Sequence, residues 1–363
     1  MAKGISVYCG MQYTLAENLQ YIQRAKELGF STIFTSLHIP EADYQNAVEE
    51  FKAMVSLADH LNMKVTADIS PRAFTYLNAG MNNLQPLRDL GIYGIRVDFG
   101  FTPDEIAEFS RNPYGLMIEL NASTVTRRFF AEIEKYNPDF TKLQACHNYY
   151  PRLNTGISEE TLLRKNNLLK NYNMKVSAFI PSLVFRRGPI FEGLPTLEKH
   201  RTISPYLAAK HLFALGIDDV IFGDSIPTFE ELKTVGKVKE NVLEFCVQTF
   251  HCSEMEKRII FECAHANRPD PAEDVMRSTN SRTALKGGHI IEPFNTILRE
   301  KGSITIDNKD YLRYCGELQV CKKDLPQDAR VNVVGKVIDS ELILLDFIQE
   351  ETKFLFIENE FLK

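Results

Sequence analysis

"ISVYCGMQYTLAENLQYIQRAKELGF", residues 5–30, holds the turn that decides the fold. A strand-like run ending at Tyr8 passes through "CGMQYT" into a helical stripe of Leu15, Leu19, Ile22, Ala25 and Leu28. Thr14 and Glu17 are spaced as a capping box, in which each side chain accepts a hydrogen bond from the other residue's backbone N–H. An open dinucleotide-binding sheet needs a glycine-rich turn between its first strand and first helix. The turn here has one glycine, Gly10, so that fingerprint is missing.

The same strand–helix unit repeats outward from this stretch. Strand-like runs follow in "TIFTSLHIP" (32–40), "KVTADISPR" (64–72), "GIRVDFGF" (94–101), "LMIELNAS" (116–123), "KLQACHNYY" (142–150), "MKVSAFIPS" (174–182) and "DDVIFGDS" (218–225), with helical patterns between them. Thr102 with Glu105 and Thr228 with Glu231 mark two more helix starts. Eight such units predict a (β/α)8 TIM barrel over residues 1–245. Beyond it, short alternating runs such as "KRIIFECAHAN", "GSITIDN", "ARVNVVGKVI" and "ELILLDFI" predict a mostly-β domain over residues 246–363, with the join near Phe245 to Glu256. The fold class is therefore α/β.

Composition narrows the role. The 363 residues carry a net charge of −6 and no basic tract, which argues against nucleic acid as a partner. No apolar run reaches the ~20 residues of a membrane span, and the first residues enter a strand at once, so no membrane partner is expected and the cytoplasm is the expected location. The seven cysteines contain no Cys-x-x-Cys pair and read as free thiols. His38 and His147 lack the further ligands of a zinc site, so neither a metal nor another cofactor is expected. The sequence leaves the oligomeric state open.

Barrel chemistry sits where the strands end. In chain order those ends offer Tyr8, His38, Asp68, Arg72, Arg96, Asp98, Glu119, Asn121, His147, Asn148, Tyr149, Arg152 and Asp224. Carboxylates among tyrosines, amides and arginines suit a sugar, and two carboxyl groups can divide the work of glycoside hydrolysis. The candidate catalytic groups are Glu119, Asp98, Asp224 and Asp68, with Glu119 first because it follows an apolar run. Arg96 and Asp98 share a strand face and equally suit a structural ion pair, and Asp224 equally suits a loop anchor. Arg186 and Arg187, after the seventh strand, offer a grip for phosphate. Glu159 and Glu160 occupy the first turn of the helix after the sixth strand and would repel an anion there.

Four strings, "HNYYPRLNTGIS" (147–158), "RRGPIFEGLPTLEKHR" (186–201), "FGDS" (222–225) and "YCGELQVCKKDLP" (314–326), resemble the bacterial 6-phospho-N-acetylmuramidase (MupG) family over essentially the whole chain. The resemblance implies a barrel followed by a cyclophilin-like domain. It also implies a glycosidase of cell-wall sugar recycling, whose partner is a small phosphorylated amino-sugar disaccharide, 6-phospho-N-acetylmuramyl-N-acetylglucosamine. Such a ligand, anionic through phosphate and lactyl carboxylate, would engage Arg72, Arg152, Arg186 and Arg187 and pack on Tyr8 and Tyr149. A non-catalytic sensor of the same sugar is the alternative. A pyridoxal-phosphate racemase of similar domain order would need a lysine at the end of the first strand, which here reads "VYCG".

Overall fold

The structure is a computed structural model that describes residues 1–36, 44–69, 74, 77–80, 83–98, 100–285 and 290–358. The chain divides into two compact units, Met1–Val238 and Lys239–Lys363.

In the first unit, β1 (Ala2–Ser6), β2 (Thr32–Ser36), β3 (Lys64–Asp68), β4 (Gly94–Arg96), β5 (Met117–Asn121), β6 (Leu143–Cys146), β7 (Val176–Ile180) and β8 (Asp219–Phe222) close in that order into a barrel. Every pair is parallel, and β8 returns to β1. Alternation along each strand explains why. Ile5, Ile33, Val65, Ile95, Ile118, Ala145, Ala178 and Val220 are almost wholly buried and take the helix-facing positions, where apolar area leaves water. The predicted capping boxes at Thr14–Glu17, Thr102–Glu105 and Thr228–Glu231 are all formed.

The inward positions depart from the usual branched aliphatic filling of such barrels. Thr32, Lys64, Thr66, Glu119, Gln144, Ser177 and Asp219 line a cavity of about 230 Å³ that opens at the amino-terminal end of the strands. Gln144 donates to Glu119 at 2.8 Å in this interior, while Thr32 Oγ1 and Glu119 Oε1 make no hydrogen bond.

The second unit is one seven-stranded sheet in the order β10-β15-β9-β14-β12-β13-β11. Its members are β9 (Leu243–Thr249), β10 (His265–Ala266), β11 (Val275–Arg277), β12 (Ser303–Asp307), β13 (Leu318–Cys321), β14 (Val331–Val337) and β15 (Lys353–Glu358). The boundary expected at 245/246 falls inside β9, which pairs with β14 and β15. Two expected strands are also different. Glu254–Glu262 is an α-helix, started by a capping box between Ser253 and Glu256. Asp339–Phe347 is a 3-10 helix that buries Leu344 and Leu345. In both, the apolar residues are spaced for one helical face as well as for a strand, and the local cap decided the first. No helix among the described residues is long and apolar enough to cross a membrane.

Candidate active site at the barrel mouth

Asp68, Arg96, Asp98, Asn148 and Tyr149, with Phe34 and Phe179, line a cavity of about 160 Å³ at the carboxyl ends of the strands. Arg96 organises it. Its guanidinium is buried at the end of β4 and donates to Asn148 Oδ1 at 2.6 Å, to the Cys146 carbonyl at 3.2 Å and to Asp98 Oδ2 at 3.3 Å. Asn121 Nδ2 donates to the other Asp98 oxygen at 2.7 Å, so two neighbours fix the Asp98 carboxylate while a third of its side chain stays open. Ser36 Oγ donates to Asp68 at 3.2 Å. The mouth thus brings two carboxyl groups, on β3 and just past β4, into one cavity with the Arg96 guanidinium.

Glu119 lies elsewhere. Pairing sets Ser36 opposite Asp68, Asp68 opposite Arg96, Arg96 opposite Glu119 and Glu119 opposite Gln144. In a closed barrel the strands tilt, so a row at constant register descends as it runs around the wall. Its Ser36–Asp68 end reaches the mouth, and its Glu119–Gln144 end lines the amino-terminal cavity. Glu119 accepts from Gln144 at 2.8 Å, stands 3.9 Å from Arg96 and leaves its Oε1 without a hydrogen bond. Burial pushes its pKa up to about 7, against the opposing pull of Arg96 and the Gln144 bond.

The wall after β7 is built on Asp224. This fully buried carboxylate accepts the backbone N–H groups of Ser182 and Arg187 at 2.8 Å each and of Leu194 at 3.2 Å. Burial still raises its pKa, against those bonds. All its described partners lie in the loop between Ser182 and Leu194, the position of an anchor. The neighbouring Gly223 is required by close approach, since a Cβ there would meet the Leu194 carbonyl at 2.3 Å. The anchored loop presents Arg187, whose guanidinium lies over the rings of Tyr8 (4.2 Å) and Tyr149 (5.2 Å), with its Nε unbonded. Tyr8 is itself buried, its hydroxyl donating to the Gly223 carbonyl at 2.9 Å, so it supports Arg187 from beneath rather than offering an open face.

Arg201 ties a second stretch of wall together. It bonds both Glu198 oxygens at 2.7 Å and the carbonyls of Tyr150, Arg152, Glu192 and Gly193. Those arginine bonds hold Glu198 down at about 2. Glu198 in turn accepts the N–H of Asn154 and of Gly156, where a Cβ would meet the Glu198 backbone nitrogen at 2.6 Å.

The remaining expected residues separate. Asn121, Asn148 and Tyr149 join Arg96, Asp98 and Asp68 at the mouth. Arg152 is exposed on the loop that Arg201 holds, and Arg186 donates to the Arg201 carbonyl at 3.4 Å. His147 is set aside from the mouth. It is wholly buried, with its ring nitrogens against Ser123 and against Asn166 of the following helix, and burial lowers its pKa to about 4. The thiol of Cys146 is likewise buried and pushed well up, the state of an inert thiol. His38 and Arg72 lie outside the described residues. Among the described residues no group of His, Cys, Asp or Glu side chains could hold a metal ion. Sequence reasoning passed over Phe34, Phe179 and Arg201. The two phenylalanines face inward by strand alternation, a signal available in the sequence, whereas nothing local marks Arg201 as buried.

Two family models match. One, described as 6-phospho-N-acetylmuramidase, N-terminal, covers residues 3–237. The other, 6-phospho-N-acetylmuramidase, C-terminal, covers residues 243–357. A solved structure of an uncharacterized B. cereus protein is 35% identical, with a TM-score of 0.85 over 98% of this chain and 99% of that one. A conserved protein from a locus in Enterococcus faecalis, of unknown function, is 36% identical, with a TM-score of 0.69 over 99% and 97%. No curated protein matches. The chain belongs to the 6-phospho-N-acetylmuramidase family, a family of glycosidases.

Proposed function

We propose that this member of the family hydrolyses the β-1,4 bond of 6-phospho-N-acetylmuramyl-N-acetylglucosamine, releasing 6-phospho-N-acetylmuramic acid and N-acetylglucosamine, in cytoplasmic recycling of cell-wall sugars. The observation that carries the reading is the pair Asp68 and Asp98, which share one small cavity with Arg96 and with aromatic rings beside them. Two carboxyl groups at the bond are what glycoside hydrolysis needs.

The substrate's own 2-acetamido oxygen can attack C1 while one carboxyl orients its N–H and the other protonates the departing oxygen. Water then opens the cyclic intermediate. Asp98, fixed by Asn121 and Arg96, suits a role that demands orientation. Arg187, stacked on two tyrosines and without a carboxylate in hydrogen-bond range among the described residues, supplies a positive charge for one anionic group of the sugar. We read the second unit as cyclophilin-like on the strength of the sequence resemblance.

The test is incubation of purified protein with the phosphorylated disaccharide and, beside it, the unphosphorylated one, following released sugars by mass spectrometry. Cleavage of the phosphorylated compound alone is expected, and Asp98→Asn should lower kcat by roughly 10²–10⁴. Binding without cleavage of either compound would favour the sensor and sink the hydrolase.

A further inference from the structure

The string "YCGELQVCKKDLP" contributes nothing to the barrel mouth residues described above, yet it opens on an unusual piece of surface in the second unit. Tyr314 carries two guanidinium groups. Arg282 Cζ lies 5.7 Å and Arg313 Cζ 5.0 Å from the centroid of its ring. Arg313 Nη2 also donates to the Tyr314 hydroxyl at 3.0 Å, and Arg282 Nη1 donates to the Arg313 carbonyl at 3.2 Å.

Charge bookkeeping within this cluster leaves a surplus. The buried Glu317 is already matched by Arg277, through contacts of 2.9 and 3.3 Å, and by Gln319 at 3.1 Å. Arg282 adds a longer ion pair to Glu317 at 3.8 Å, beyond hydrogen-bond range, so two guanidinium groups already share that one carboxylate. Arg313 has no carboxylate partner among the described residues. Nearby Arg330 shows the contrast, since it lies over Tyr311 but spends its fork on Asp328 at 2.7 and 2.9 Å. Two cations gathered on one ring repel each other unless an anion joins them.

Between the tyrosines the backbone is strained. Leu312 adopts φ 55°, ψ −115°, a region that a branched side chain rarely enters, and its side chain is 80% exposed. Strain of this kind gathers at ligand clamps. A strained turn that lifts a leucine into water, beside Arg282 and Arg313, presents an apolar surface and a positive one side by side.

We propose that Arg282, Arg313, Tyr314 and Leu312 form a second anion-recognition site, which takes an anionic oxygen group of the muramyl sugar, phosphate or lactyl carboxylate, with Leu312 against the sugar's apolar face. The proposal rests on the substrate class proposed above.

Calorimetric titration of the full chain tests it without turnover. The probes are 6-phospho-N-acetylmuramic acid, N-acetylglucosamine 6-phosphate and N-acetylmuramic acid, which carry both anions, phosphate alone and carboxylate alone. In Arg282→Ala/Arg313→Ala, Kd for the first should rise at least tenfold. The single-anion probe that loses affinity in parallel names the group that is read. Arg313→Ala alone should leave thermal stability without ligand unchanged, because that side chain is exposed and has no carboxylate partner among the described residues, whereas the double variant also loses the Arg282 contact to the buried Glu317. Kd values for all three probes within twofold of the unsubstituted protein would overturn the site, as would no binding of any probe by the unsubstituted protein. Cleavage by a protein whose double variant binds normally would overturn this site alone and leave the hydrolase standing. Arginine-dependent binding without cleavage would do the reverse.

Discussion

Replacing Glu119 with glutamine should change how stability depends on pH. The carboxyl is buried, its Oε1 makes no hydrogen bond, and Arg96 gives its closest contacts to Asn148, Cys146 and Asp98 instead. The proton is therefore held until about pH 7, against an ordinary 4.5. Between those values the folded chain binds more protons than the unfolded chain, so stability falls as pH rises. The contribution is fully present below about 4.5 and is lost as pH passes through 7. At ~1.4 kcal/mol per pH unit the loss is roughly 3 kcal/mol. Glutamine keeps the neutral shape and the acceptor for Gln144, so it should remove the loss. The assay is urea denaturation of both proteins at pH 5, 6, 7 and 8, followed by far-ultraviolet circular dichroism. The difference between the two curves isolates this one group from other carboxyls that burial also raises, such as Asp219 and Asp307. Glu119→Gln should gain on the unsubstituted protein with rising pH, by roughly 3 kcal/mol at pH 8. Parallel curves would refute the reasoning and return Glu119 to an ionised pair with Arg96.

Asp224→Ala should destabilise the first unit by roughly 3 kcal/mol or more, because three buried N–H groups lose their acceptor. A denaturation midpoint matching a loss below ~1 kcal/mol, together with a collapsed kcat, would instead make Asp224 a chemical participant. Arg187→Lys keeps the charge but loses the flat stack on Tyr8 and Tyr149, so KM for the phosphorylated disaccharide should rise roughly tenfold with kcat little changed. A fall in kcat at constant KM would place Arg187 in the chemistry rather than in recognition.

The barrel was legible because each unit announces itself locally. A capping box, an apolar stripe and a short strand recur, and each depends on neighbours in the chain. The same locality failed at Ser253–Glu256, where a helix-starting capping box was read as the end of the domain join. At the mouth, strand order put Asp68, Arg96, Asp98 and Asn148 at strand ends, and they line one cavity there. Depth was not readable. Whether an inward carboxylate meets substrate or lies beneath it depends on how far the register row has descended, which is set by all eight strands together. Glu119 is the residue this affects. Asp224 and His147 show a second limit. Both were placed at strand ends, but one turns into the neighbouring loop and the other toward a helix, and those partners are 30–42 and 19–24 residues away in sequence.

Arg201 has a consequence for the evolution of this mouth. One buried guanidinium closes on carbonyls at Tyr150, Arg152, Glu192 and Gly193 and on a carboxylate that reaches back to Asn154 and Gly156. Two loops that are distant in sequence therefore share one set of coordinates. An insertion in either would unseat the other, so their lengths must vary jointly or not at all. Specificity along this wall can drift through the side chains it displays, such as Arg152, while its backbone outline stays as it is.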